Sequence, residues 1–214
     1  MNNNAIVVGA TGVVGKELVS QLCADDTIDT VTCLVRTELN FTHDKLIQHR
    51  VNFEEVSSWQ SLVVGQCLYC ALGTTLKQAG NKDTQQKIDL DLPIEIANVA
   101  KKNGVEHLAL VSSTGADANS NSFYLSLKGK LEAELTALSF QSLTIVQPSV
   151  LDIKRQAFRL GETIAIKVLN ALQFIPVFKL YKPITPAQVA KALIYYQGEN
   201  KSGVVVKKLD ELFI

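Results

Sequence analysis

The sequence predicts an α/β domain: a doubly wound, mainly parallel sheet with helices on both faces. Short apolar runs alternate with segments of helical apolar spacing along the chain, and the connections between them are short. The apolar runs carry little polar alternation, as expected of strands buried on both faces. The first run also ends in a glycine-rich turn that opens directly into the first helical segment. With 214 residues the chain can build one domain with a substantial core, and it reads as a single domain over 1–214.

Taken in order, Ala5 to Val8 is a short apolar run between Asn and Gly, and predicts the first strand. Val13 to Ala24 has apolar residues at 14, 18, 19 and 22, a helical spacing. Asp29 to Val35 predicts a second strand and Leu46 to Phe53 a weaker third. Glu54 to Val64, with Val56, Trp59 and Leu62 three apart, predicts a helix. Gln66 to Ala71 predicts the fourth strand. Asp83 to Lys102 predicts a long helix whose buried stripe is Ile88, Leu92, Ile96 and Val99. Pro93 inside it should kink the helix or restart it with Asp89 or Asp91 as cap. Asn103-Gly104 is a stop signal. Val105 to Val111 is the fifth strand, Ser122 to Leu138 the next helix, and Leu143 to Val146 the sixth strand. Thr185-Pro-Ala-Gln188 reads as a capping box with proline at the first helical position. The helix after it should bury Val189, Leu193 and Tyr196, and Gly203 to Val206 ends the pattern as a late strand.

Composition narrows the function. Lys and Arg together number 21 and so do Asp and Glu, so the net charge is zero. A nucleic-acid binder would carry a basic excess, and nucleic acid is not expected as a partner. The most apolar late stretch, Ile164 to Leu180, is broken by Lys167, Asn170, Gln173, Pro176 and Lys179, so no stable membrane insertion is expected. No secretory leader stands at Met1-Asn-Asn-Asn, and the expected compartment is the cytoplasm. Four cysteines without such a leader suggest reduced thiols. Cys67-Leu-Tyr-Cys70 spells C-x-x-C, but on a strand residues three apart point to opposite faces, so these two should be buried singly. No spacing of Cys, His, Asp or Glu suggests a metal site. His43, His49 and His107 read as structural or solvent-facing, and Trp59 as core.

Parallel sheets hold ligands at the carboxyl ends of their strands. The first strand ends in Gly9-Ala10-Thr11-Gly12-Val13-Val14-Gly15. Glycines there let backbone N–H groups approach a pyrophosphate, and the following helix offers the positive end of its dipole. The second strand ends at Arg36. An acid there would suit the ribose hydroxyls of NAD, whereas a cation can clamp the 2′-phosphate of NADP(H); an exposed arginine without a ligand is the alternative. The fourth strand ends in Ala71-Leu72-Gly73-Thr74-Thr75, small enough for close approach of a cofactor. The fifth ends in Ser112-Ser113, and Tyr124 and Lys128 follow at i and i+4 on one helix face. A phenol has a reference pKa near 10, and a neighbouring ammonium favours its ionised form. Serine, tyrosine and lysine together suit hydride transfer coupled to proton transfer at a carbonyl.

These residues, with Leu68 to Thr75, Ser112 to Asp117, Phe123 to Ala133 and Gln147-Pro-Ser-Val-Leu151, resemble an atypical short-chain dehydrogenase/reductase with the Rossmann fold. The likeness is narrower to the Tat-interactive-protein branch. The resemblance implies that Gly9, Thr11, Gly12, Val13, Val14 and Gly15 hold the pyrophosphate, that Arg36 faces the 2′-phosphate, and that Leu72 and Gly73 line the adenosine and ribose side. Tyr124 would be proton donor or acceptor. Lys128 would bind the nicotinamide ribose. Leu151 and Arg159 would close over the nicotinamide end. Ser113, with Ser112 as the alternative, would supply the substrate-side hydroxyl. Gln147 departs from the pattern, since an arginine before the proline is common. The tail is short, so a small substrate-side or lid region at about 152–185 must supply the pocket.

Two functions compete. One is an NADP-dependent reductase of a small carbonyl compound. The other is a non-catalytic NADP(H)-binding redox sensor acting through a protein partner, which Tyr124 disfavours. A sugar-nucleotide epimerase would share the triad but needs a larger tail. Monomer and homodimer remain equal expectations.

Overall fold

The computed structural model describes residues 3–152, 182–199 and 201–214. Strands β1 (Asn4–Val8), β2 (Thr30–Val35), β3 (Leu46–Arg50), β4 (Cys67–Cys70), β5 (His107–Val111), β6 (Ser142–Gln147) and β7 (Gly203–Lys208) form one sheet. Their order is β3-β2-β1-β4-β5-β6-β7 and every pair is parallel. The chain runs outward from β1 to β3, then returns to lay β4 on the other side of β1, Ala5 opposite Cys67. That reversal is the topological switch point at which ligands of such sheets bind.

The helices are α1 (Val13–Ala24), α2 (Leu76–Ala79), α3 (Lys82–Gln86), α4 (Leu92–Lys102), α5 (Phe123–Ala137) and, among the described residues, α6 (Pro186–Gly198). Two cores lie on the two sheet faces. Leu18, Leu22, Val189 and Leu193 of α1 and α6 pack on Val7 and Val31. Ile96, Leu127, Leu131 and Leu135 of α4 and α5 pack on Ile6, Leu68 and Leu108. Cys67 lies in the first core and Cys70 in the second, both as free buried thiols. The expected separation of the C-x-x-C pair is thus observed, and burial pushes both thiols up.

Two expectations need correction. Glu54 to Val64 is not an α-helix but two 3₁₀ turns, Val56–Ser58 and Gln60–Leu62. A strict spacing of three is the repeat of the 3₁₀ helix; it drifts off the stripe of a 3.6-residue helix. Trp59, between the turns, is fully buried as expected. The long helix is also not restarted by an aspartate cap. Between α3 and α4 the chain makes a π turn, Lys87–Asp91, with the N–H of Leu92 donating to the carbonyl of Lys87. Asp91 stays in helical conformation and its side chain caps nothing. Pro93 withholds its N–H from the carbonyl of residue 89 and its ring crowds that turn; widening the turn relieves both effects.

The other landmarks fall where their chemistry puts them. Gly104 stops α4 at φ +83°. Thr185 caps α6 by accepting the Gln188 N–H at 3.3 Å, while Gln188 Oε1 accepts the Thr185 N–H at 3.0 Å. His107 is buried at the amino end of β5, where Nδ1 meets Ser142 Oγ at 2.9 Å, far from the carboxyl ends. No helix among the described residues is long and apolar enough to cross a membrane.

Candidate functional site

The carboxyl ends of β1, β4 and β5 meet the start of α1 and the first half of α5 around a pocket of about 520 Å³. Gly9 takes φ +81°, and a Cβ there would lie 2.5 Å from the carbonyl carbon of Ala71. The turn is therefore seated directly on the end of β4. A Cβ on Gly15 would lie 2.1 Å from the carbonyl oxygen of Gly9, so only glycine lets the first turn of α1 close down on the loop. Gly9 and Gly15 thus shape the turn from beneath, while Thr11, Gly12, Val13 and Val14 line the pocket. Helix α1 has no side-chain cap and no acid in its first turn. Its free N–H groups and positive dipole end suit an anion, which is the fit a pyrophosphate requires.

Leu72 and Gly73 line the same pocket, and Leu72 is also a wall of a neighbouring groove of about 830 Å³ that contains Arg36. Val51, Phe53, Ile88 and Leu92 give that groove its apolar surface. Arg36 is exposed and makes no ion pair among the described residues. The two hollows joined at Leu72 offer a path for a two-ended ligand, with a cation at one end and the β5 serines at the other.

On α5, Tyr124 and Lys128 both line the pocket one turn apart. Tyr124 is 37% exposed, whereas Lys128 is 2% exposed and its Nζ donates to the Leu72 carbonyl at 3.3 Å. The two serines differ in their surroundings. Ser112 is buried and its hydroxyl donates to Glu132 Oε1. Gln147 Nε2 donates to the two oxygens of Glu132 at 2.9 and 3.0 Å. The Ser112 proton is committed to that carboxylate. Among the described residues the Ser113 hydroxyl makes a single long bond, 3.4 Å to the Thr114 carbonyl, and so keeps a hydroxyl to offer. Glu132 was not singled out in the sequence, although its position four residues past Lys128 puts it on the same face.

Leu151 reaches the pocket rim through a parallel bridge to Ile184, with the Asp152 N–H donating to the Ile184 carbonyl at 2.8 Å. Arg159 and most of the region 152–185 lie outside the described residues.

Sequence reasoning also missed Asp89. It was a possible cap; instead it is fully buried, with Oδ1 accepting the Thr74 N–H at 2.7 Å and Oδ2 accepting from Gln85 Nε2 at 3.4 Å. Burial pushes its carboxyl above the usual carboxylate range, opposed by the Lys128 ammonium and these two hydrogen bonds.

Comparison with known proteins gives the family and the fold. A family described as NAD(P)H-binding matches residues 9–167. Protein HTATIP2 of Rattus norvegicus is 34% identical over 175 residues, covering 80% of this chain and 72% of the rat protein. Protein FMP52, mitochondrial, of Candida albicans is 30% identical over 220 residues, covering 98% and 96%. Among solved structures, a short-chain dehydrogenase/reductase superfamily protein from Agrobacterium tumefaciens with bound NAD shares the fold. Its TM-score is 0.74 at 11% identity, covering 97% of this chain and 77% of that one. The mitochondrial name recurs in relatives from Candida glabrata and Saccharomyces cerevisiae. These names overturn the cytoplasmic expectation. It rested on the lack of a secretory leader, which does not separate the cytoplasm from other compartments entered without one.

Proposed function

We infer a redox function from one premise: the chain belongs to the NAD(P)H-binding family, as an atypical short-chain dehydrogenase/reductase of the HTATIP2 branch. The proposed reaction is NADPH-dependent reduction of a small carbonyl compound. The observation that carries it is the meeting of Tyr124, Lys128 and Ser113 in one pocket with the open amino end of α1. When bound, NADPH supplies the hydride that reaches the carbonyl carbon.

The chain's own residues supply the rest. The N–H groups of Val13 and Val14 bind the pyrophosphate, Gly12 lets it approach while its own N–H closes the turn on the Gly9 carbonyl at 3.0 Å, and Arg36 holds the 2′-phosphate. Leu72 and Gly73 lie along the ribose. Ser113 donates a hydrogen bond to the carbonyl oxygen and Tyr124 gives that oxygen its proton, completing an alcohol. Lys128 holds the nicotinamide ribose. Leu151 closes the rim, and Arg159 is proposed to join it from the region outside the described residues.

Fluorescence titration with NADPH and NADH, on wild type and Arg36→Ala, tests the cofactor. Losing a charged phosphate contact should cost about 1.5–3 kcal/mol, or roughly ten- to a hundredfold in affinity. NADPH should bind more tightly than NADH, and Arg36→Ala should abolish that preference. A carbonyl screen with Tyr124→Phe as the inactive control then tests turnover. Equal binding of the two nucleotides by wild type refutes the 2′-phosphate role. Turnover retained by Tyr124→Phe refutes the proton donor.

A further inference from the structure

Asp89 is a buried carboxylate that the proposed reaction does not use. Lys128 approaches from α5 while Asp89 approaches from the π turn, and both reach Gly73 without closing to a 4.0 Å ion pair with each other. A Cβ on Gly73 would stand 3.7 Å from Lys128 Nζ and 3.8 Å from Asp89 Oδ1. Lys128 has three N–H donors, and the hydrogen bond it makes among the described residues goes to one carbonyl, that of Leu72. An ammonium taken out of water is tolerated where an opposite charge lies near it. Lys128 is also the strongest influence holding the Asp89 carboxyl down against its burial. The carboxylate is itself fixed: the Thr74 backbone holds one oxygen and the Gln85 amide the other. Asp89 is thereby tied to the Leu72–Thr75 loop that walls the pocket.

We propose that Asp89 is a positioning residue, the fixed counter-charge that holds the Lys128 ammonium at the Leu72–Gly73 edge of the pocket, where Lys128 meets the ribose of a bound nicotinamide dinucleotide. The ribose contact rests on the dinucleotide reading above; the counter-charge does not. Asparagine at 89 keeps an oxygen for the Thr74 N–H and nearly the same volume, and removes the charge together with the acceptor that meets Gln85 Nε2 at 3.4 Å.

Two measurements test it. In the free protein with 15N-labelled lysine, NMR should show a slowly exchanging Lys128 ammonium signal, assigned by its loss in Lys128→Arg. In Asp89→Asn that signal should vanish or shift while the fold is kept. An unchanged signal overturns the counter-charge. In the second measurement NADPH is titrated against wild type, Asp89→Asn, Lys128→Met and the double variant. Each single variant should bind about tenfold more weakly, and the double variant no more weakly than Lys128→Met. Additive losses, or wild-type affinity in Asp89→Asn, overturn positioning through Lys128. If wild type binds no dinucleotide, the ribose contact falls with the functional reading, and the NMR result alone decides the counter-charge.

Discussion

Replacing Gly129 by alanine sets two opposed effects against each other. Gly129 lies inside α5, where alanine is ordinarily the better residue by about 1 kcal/mol. Yet a Cβ there would fall 2.2 Å from the backbone of Asp117 and Ala118. That strand-end loop must lift off the helix. It is held down by the Asp117 N–H to the Leu125 carbonyl at 3.2 Å and by Ser126 Oγ to the Ala118 carbonyl at 3.1 Å. Losing both bonds costs roughly 1–3 kcal/mol, and forcing extra volume into packed surroundings about 1–3 more. After the propensity gain the net loss is about 3 kcal/mol. At roughly 2–4 °C per kcal/mol for a domain of this size, Tm should fall by about 6–12 °C. Thermal melting followed by far-UV circular dichroism measures it. A Tm equal to or above wild type would mean that helix propensity governs, and the close approach of loop and helix would be refuted.

Two further outcomes are expected. Thr185→Ala removes the side-chain half of the α6 capping box, leaving the backbone N–H at 185 to Gln188 Oε1, and should destabilise the protein by about 1 kcal/mol in urea unfolding, with the slope unchanged. The raised Asp89 carboxyl means that the folded state keeps a proton the unfolded chain has released, in the window from about pH 4 up to the raised value. Stability from this group is present below that window and lost as pH rises through it. The stability difference between wild type and Asp89→Asn should therefore shift in that direction across the window, and a flat difference would refute the raised carboxyl.

Much of the fold was legible because buried parallel strands leave uninterrupted apolar runs. Ala5 to Val8 and Leu143 to Val146 both emerge as strands within a residue or two of their reading. The glycine turn and the Tyr124–Lys128 spacing were legible for a related reason, since each is a local geometry carried by adjacent residues. Asp89 was not. Gln85 and Asp89 stand seven residues before Leu92 and Ile96, on the helix side those two define, but a polar side chain is not counted when an apolar stripe is read. Both are buried in the structure, whereas Ile88, which was read into the stripe, is half-buried. The Ser112–Glu132–Gln147 cluster was hidden because its members come from three separate places, the end of β5, α5 and the end of β6. Once the partners are seen, the glutamine that departs from the family pattern has a defined role as donor to Glu132.

The seating of Gly9 on Ala71 has a consequence for how the molecule comes into being. During synthesis the glycine turn emerges long before the strand on which it rests, and Ala5 must wait for Cys67 to gain its inner neighbour. Every pairing in this sheet likewise closes a loop before it is rewarded, which makes assembly slow relative to hairpin-built sheets. The dinucleotide turn takes its final shape only when β4 docks. A nascent chain that ends before residue 71 has the complete glycine sequence but no seat for it, and should hold no nucleotide.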